Sequence, residues 1–165
     1  MIELLRRTSR RVTRGVALSI RAPADGWLVA RMLAWRAILP GLKYLVPLPR
    51  LVDLMDARPR GGPRRPDHEQ RIATLAERVF DHGRSSEDCL ELSLVTYRYL
   101  AAAGADPRLV IAIRNDGRLA RGHAWVTVDG VPVHDSPALL DDFASLVTFE
   151  SGGRVHSGVA GDAEG

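Results

Sequence analysis

Three residues of this 165-residue chain could together do nucleophilic chemistry: Cys89, His123 and Asp135. Cys89 is the sole cysteine and lies in "SSEDCLELSL". A thiol attacks as its thiolate, and the neighbouring Glu87, Asp88 and Glu91 oppose ionisation. The start of a helix favours it, because outward-pointing amides and the helix dipole stabilise an anion there. A histidine beside the sulfur can take its proton and return it to a leaving amine. A carboxylate behind the ring can fix the tautomer and stabilise the imidazolium. Each residue also has a plainer reading alone: Cys89 as a small buried hydrophobe, His123 as a hydrogen-bonded strand residue, Asp135 as a turn or cap residue. Their order and the elements around them make the combination specific.

Those elements follow from periodicity and punctuation. Ser85-x-x-Asp88 matches a capping box, with Ser86 an equivalent start, and Leu90, Leu94, Tyr97 and Ala101 form an apolar stripe that Gly104 ends. This helix carries Cys89 in its first turn. An earlier helix is predicted over 68–80, capped by Asp67, with Ile72, Leu75, Ala76 and Val79 on one face. "RLVIAIR" (108–114) reads as a strand, and "HAWVTV" and "VPVHD" flank Asp129-Gly130 as a hairpin. A last helix is predicted over 137–146. Near the N-terminus the spacing predicts a helix over 26–39, stopped by Pro40-Gly41, and a short helix over 49–55. The chain thus divides into an apolar and basic helical extension (1–57), a Pro/Gly/Arg-rich linker (58–66), a main domain (67–150) and a flexible tail (151–165).

Hairpin register decides whether His123 can meet Asp135. A two-residue turn at Asp129-Gly130 pairs Val128 with Val131, and places His123 and Asp135 on opposite faces. A three-residue loop with Gly130 in a bulge puts His123 directly across from Asp135. Asp-Gly suits both turns. The three-residue loop is the expectation, because it alone builds the trio within a regular hairpin. With the other register His134 becomes the neighbour of His123; otherwise it is an exposed strand residue. Trp125 shares the face of His123 and is a candidate wall of the substrate site, with core packing as the alternative. An oxyanion hole needs the Cys89 N–H and a second donor; His82 and Arg84 are candidates from the 81–86 loop.

Composition narrows the setting. Residues 1–66 carry 14 Lys and Arg against 4 Asp and Glu, and residues 67–165 carry 9 against 16, so a net charge of +3 joins a +10 half to a −7 half. Such a split suggests different partners or contact between the halves. A single cysteine excludes an internal disulfide and a multi-thiolate zinc site, which fits a reducing, cytoplasmic compartment. There is no long uncharged apolar run for a transmembrane helix and no secretory-signal pattern. The N-terminal region lacks the strands and stacking aromatics of common nucleic-acid modules; its arginine-threaded apolar helices suit packing on the main domain, or an acidic membrane surface or partner protein.

The run "DCLELSLVTYRYLAAAGADPRLVIAIRNDGRLARGHAWVTVDGVPVHD" resembles the transglutaminase-like cysteine-protease domain of lasso-peptide biosynthesis B proteins. The matching positions are Asp88-Cys89-Leu90, Ser93-Leu94, Tyr97, Leu100, Gly104, His123-Ala124-Trp125-Val126, Asp129-Gly130 and Asp135, within about residues 67–147. The resemblance implies an α+β fold: a papain/transglutaminase-like core with the cysteine at a helix N-terminus packed on a small antiparallel sheet. It implies a leader peptidase with Cys89 as nucleophile, His123 as general base and acid, and Asp135 as orienting carboxylate, using no cofactor or metal. Leu92 replaces the basic residue often found in "CLxRSL", which bears on leader or partner contacts. Residues 1–66 do not resemble the winged-helix leader-recognition domain fused to some such proteases. A stand-alone protease is therefore implied, working with a lasso precursor peptide, a separate leader-recognition protein and an ATP-dependent cyclase. The alternatives are a non-catalytic binding module on the same scaffold and a basic surface-binding protein led by residues 1–66.

Overall fold

The computed structural model describes residues 23–57, 63–80, 88–115, 120–151 and 154–157. Among these residues four helices come first: α1 (Pro23–Leu45), α2 (Leu48–Met55), α3 (Pro66–Phe80) and α4 (Cys89–Ala102). There follow β1 (Pro107–Asn115), β2 (Ala120–Val128), β3 (Val131–Pro132), a short α5 (Pro137–Leu140), β4 (Ala144–Glu150) and β5 (Val155–Ser157). The strands form one antiparallel sheet in the order β3-β2-β1-β4-β5. The fold is α+β, as the sequence leads one to expect.

Helix α4 is the centre of the packing, and its composition shows why. Leu94, Val95, Tyr97, Leu100 and Ala101 are all buried, so the helix is apolar well beyond one stripe. It is covered by Ile72 and Leu75 of α3, Met32 and Leu39 of α1, Leu51 and Met55 of α2, and Leu109, Val126 and Phe149 of the sheet. Full burial of each such side chain contributes about 1.5–3 kcal/mol. Period-2 alternation sends Leu109 toward the helices and Val110 and Ala112 to the other face, where Trp125, Leu140 and Phe143 form a smaller cluster. Gly104, at φ 87°, ends α4; the Ala105 N–H reaches back to the Leu100 carbonyl at 3.1 Å, closing the chain over the helix end.

Several sequence expectations are corrected. Helix α1 does not stop at Pro40 but runs through it to Leu45. A helix-interior proline costs about 3 kcal/mol. Contacts on either side of it oppose that cost: Leu39 is buried, Leu42 packs on the core, and Lys43 pairs with Glu91 at 2.7 Å. Helix α3 begins at Pro66, with the Glu69 N–H donating to the Arg65 carbonyl, so Asp67 lies inside the first turn rather than capping it. Helix α4 begins at Cys89, with Asp88 at the cap position making no side-chain cap bond. Ser85 and Ser86 of the expected capping box lie outside the described residues. The helix predicted over 137–146 is only Pro137–Leu140, and residues 144–150 are strand β4. Val155–Ser157, within the stretch expected to be a flexible tail, pair with β4.

The two oppositely charged halves touch. Lys43 of the basic half holds Glu91 of the acidic half, and Arg64 bonds Glu69 and Asp129, each at 2.7 Å. The second contact pins the start of α3 to the β2–β3 turn.

Candidate active site

The β2–β3 hairpin sets the geometry. Asp129 (φ 53°) and Gly130 (φ 79°) are both left-handed, and Val128 pairs with Val131 and Thr127 with Pro132. This is the two-residue turn, so the expected three-residue loop is not formed. Asp and Gly tolerate positive φ, and such a turn matches the right-handed twist of the strands without a bulge. Arg64 holds the Asp129 carboxylate at 2.7 Å and lowers its pKa, adding an anchor that sequence spacing does not reveal.

In that register a regular hairpin would turn Asp135 away from His123. Even so, His123 Nε2 and Asp135 Oδ1 lie 3.4 Å apart. The ladder itself supplies the reason. The Val133 N–H still donates to the Val126 carbonyl at 2.9 Å, which keeps the register one step past β3. The next acceptor on the β2 edge is the Ala124 carbonyl, and Ser93 Oγ of α4 donates to it at 2.9 Å. The helix thus supplies a donor where the strand would supply one. Residues 133–135 bend out of the ladder, His134 meets Thr96 Oγ1 at 3.0 Å through its own Nε2, and Asp135 comes round to His123. His134 is therefore half-buried against α4, not an exposed strand residue.

Cys89 is the first residue of α4, and its side chain hydrogen-bonds His123. The ring thus stands between sulfur and carboxylate. Its pKa is pushed up to about 9 from 6.5, first by the hydrogen bond to Asp135 and then by that to Cys89, which together outweigh the opposing effect of burial. At neutral pH His123 is an imidazolium. One of the acids near Cys89 in sequence is paired elsewhere. Glu91 sits about 200° round the helix from Cys89, is only 2% exposed, and is paired with Lys43. That pairing raises the Lys43 pKa, so the lysine stays charged. Glu87, His82 and Arg84 lie outside the described residues.

Aromatic groups wall the ring. Trp125 stacks on His123 with centroids 5.8 Å apart, as its shared strand face predicts, and Phe143 lies 5.3 Å from His123. Phe143 was not legible in the sequence: it follows α5, and it reaches the site because β4 pairs with β1 beside β2. Beneath the ring Ala112 pairs with His123 on one side and Ser145 on the other. Leu146 is the extra residue of a bulge there, since Ile111 pairs with Val147 and Ala112 with Ser145. Ser93 had a readable signal: Ser93 and Thr96 are small hydroxyl residues one turn apart among the buried positions of this helix, and both meet the hairpin. Leu92 packs against the core.

Neither the curated proteins nor the solved structures compared with this chain give a match. A family comparison does: residues 12–148 match the Transglutaminase-like superfamily, whose domain therefore takes in α1 and α2 together with the site. With a cysteine opening the central helix, a histidine brought to it from the sheet and an aspartate from the bend after β3, this chain belongs to the Transglutaminase-like superfamily.

Proposed function

We propose that the protein is a cysteine peptidase that removes the leader from a lasso-peptide precursor. Cys89 is the nucleophile, His123 the acid and base, and Asp135 the orienting carboxylate. One observation carries this reading: the His123 ring is bonded to Cys89 and to Asp135 at once. The superfamily commonly contains cysteine peptidases, although some members are non-catalytic. The lasso assignment rests on the motif combination from Asp88-Cys89 to Asp135.

The chemistry follows from the arrangement. A thiolate facing the imidazolium attacks the scissile carbonyl carbon, and the carbonyl electrons move onto oxygen. The Cys89 N–H at the start of α4 is one donor to that charge. As the intermediate collapses the C–N bond breaks, and the amine leaves with the proton from His123. A water, deprotonated by His123, then attacks the thioester and returns the thiolate. Asp135 stabilises the imidazolium without itself taking the proton. Trp125 and Phe143 form an apolar wall against which a substrate side chain can lie.

Mass spectrometry of a lasso precursor incubated with the protein, with and without a leader-recognition protein, tests the reading. A single cut at the leader–core junction, absent with Cys89→Ala, is expected. An uncut precursor in the presence of the recognition protein would overturn it.

A further inference from the structure

Helix α1 is polarised in an unusual sense. Its four charged residues all point inward or sideways and are engaged by the protein. Asp25 pairs with Arg71 at 2.6 Å, and Arg31 lies over the Tyr99 ring. Arg36 donates to the Val79 carbonyl, and Lys43 pairs with Glu91 at 2.7 Å. Every exposed position of the helix is uncharged and apolar. Trp27, Leu33, Ile38, Tyr44 and Leu45 are 69%, 39%, 53%, 83% and 81% exposed, and alanine, proline and glycine fill the rest. At 100° per residue these positions span an arc of about 160° along the full helix. A continuous exposed apolar face of this kind marks an interaction surface.

We infer that this face of α1 lies on an anionic lipid surface, with the helix parallel to the bilayer plane. Two observations select lipid over a second copy of the chain. Residues 1–22, which lead directly into the face, carry six arginines and one glutamate. Such a segment is attracted to anionic headgroups, whereas an identical copy brings the same positive charge. Trp27 and Tyr44 sit near opposite ends of the face, and their part-apolar, part-polar rings suit the headgroup level. No described helix is long and apolar enough to cross a membrane, so the surface position is the one available to α1. The small residues along the middle of the face also suit close packing of another helix, and the experiment separates the two. This inference does not depend on the peptidase reading.

The test is flotation of the full chain with vesicles of phosphatidylcholine alone and with roughly 30% phosphatidylserine. Binding to the anionic vesicles with a blue shift of tryptophan fluorescence is expected. High salt should weaken it without abolishing it. Ile38→Glu and Tyr44→Glu, both at outward positions, should each cut binding by about tenfold or more with an unchanged circular-dichroism spectrum and melt. Equal binding by these variants, loss of all binding in high salt, or no binding to anionic vesicles would overturn the inference. So would a lipid-free dimer that Ile38→Glu converts to monomer.

Discussion

The two ends of one hairpin behave differently, and the difference builds the site. At the closed end Asp129-Gly130 makes a tight turn and Val128 pairs with Val131 in a regular ladder. At the open end the ladder stops after Val133, and Ser93 of α4 donates to the carbonyl that would receive the next strand residue. The closed end follows local turn chemistry. The open end follows the helix that carries Cys89. Register alone would separate His123 from Asp135; a helix in place of a strand brings them together. The element that presents Cys89 therefore also releases Asp135.

The largest expected effects break the open end at its chemistry. Cys89→Ala and His123→Ala should each lower peptidase activity by about 10⁴-fold or more; the melting temperature should be little changed by Cys89→Ala and lowered by His123→Ala, which removes a ring whose raised pKa stabilises the fold at neutral pH. Precursor cleavage at the normal rate by either variant would remove the mechanism. Asp135→Asn should cost about 10²- to 10⁴-fold and draw the His123 pKa down, since Asp135 is the main cause of its elevation.

Smaller effects test what holds the two ends apart. Ser93→Ala leaves the buried Ala124 carbonyl without its donor, so a stability loss of about 1–2 kcal/mol is expected, together with a fall in activity as residues 133–135 lose the contact that displaces them. A stability loss with full activity would show that Ser93 does not position Asp135. At the closed end Gly130→Ala should cost about 1 kcal/mol, because an alanine at φ 79° is strained. Nothing lies within 4 Å of the added methyl. Activity should be unaffected, which a parallel melt and cleavage assay will show.

The pH dependence has a definite sign. His123 is raised in the folded state, so its contribution to stability is full below its unfolded value near 6.5 and is lost as pH rises through about 9. Peptidase activity should fall over the same upper limb as the imidazolium loses its proton.

Local patterns made much of this legible. Cys89 at a helix start, the strand alternation that puts His123 and Trp125 on one face, and the Asp-Gly turn are short-range features, and each has a physical signature a few residues long. What was not legible depends on partners distant in sequence. Pro40 reads as a stop unless Leu39, Leu42 and Lys43 are known to have the core and Glu91 waiting. Residues 144–150 hold an alternating pattern, but the strand is fixed by β1, and a helix reading ending at Leu146 cuts through it. The hairpin is the clearest case. Asp129-Gly130 allows two registers, and the trio was expected from the one the protein does not adopt. The expected contact nevertheless forms, because the chain leaves the ladder after Val133, where Ser93, from another element, donates to the Ala124 carbonyl.

The central claim is that His123 bridges Cys89 and Asp135 despite a register that would part His123 from Asp135. A pH titration of the His123 ring followed by nuclear magnetic resonance tests it most directly. The account predicts a midpoint of about 9 that falls when Asp135 is changed to Asn. A midpoint near 6.5 in the unaltered protein, indifferent to that substitution, would contradict it.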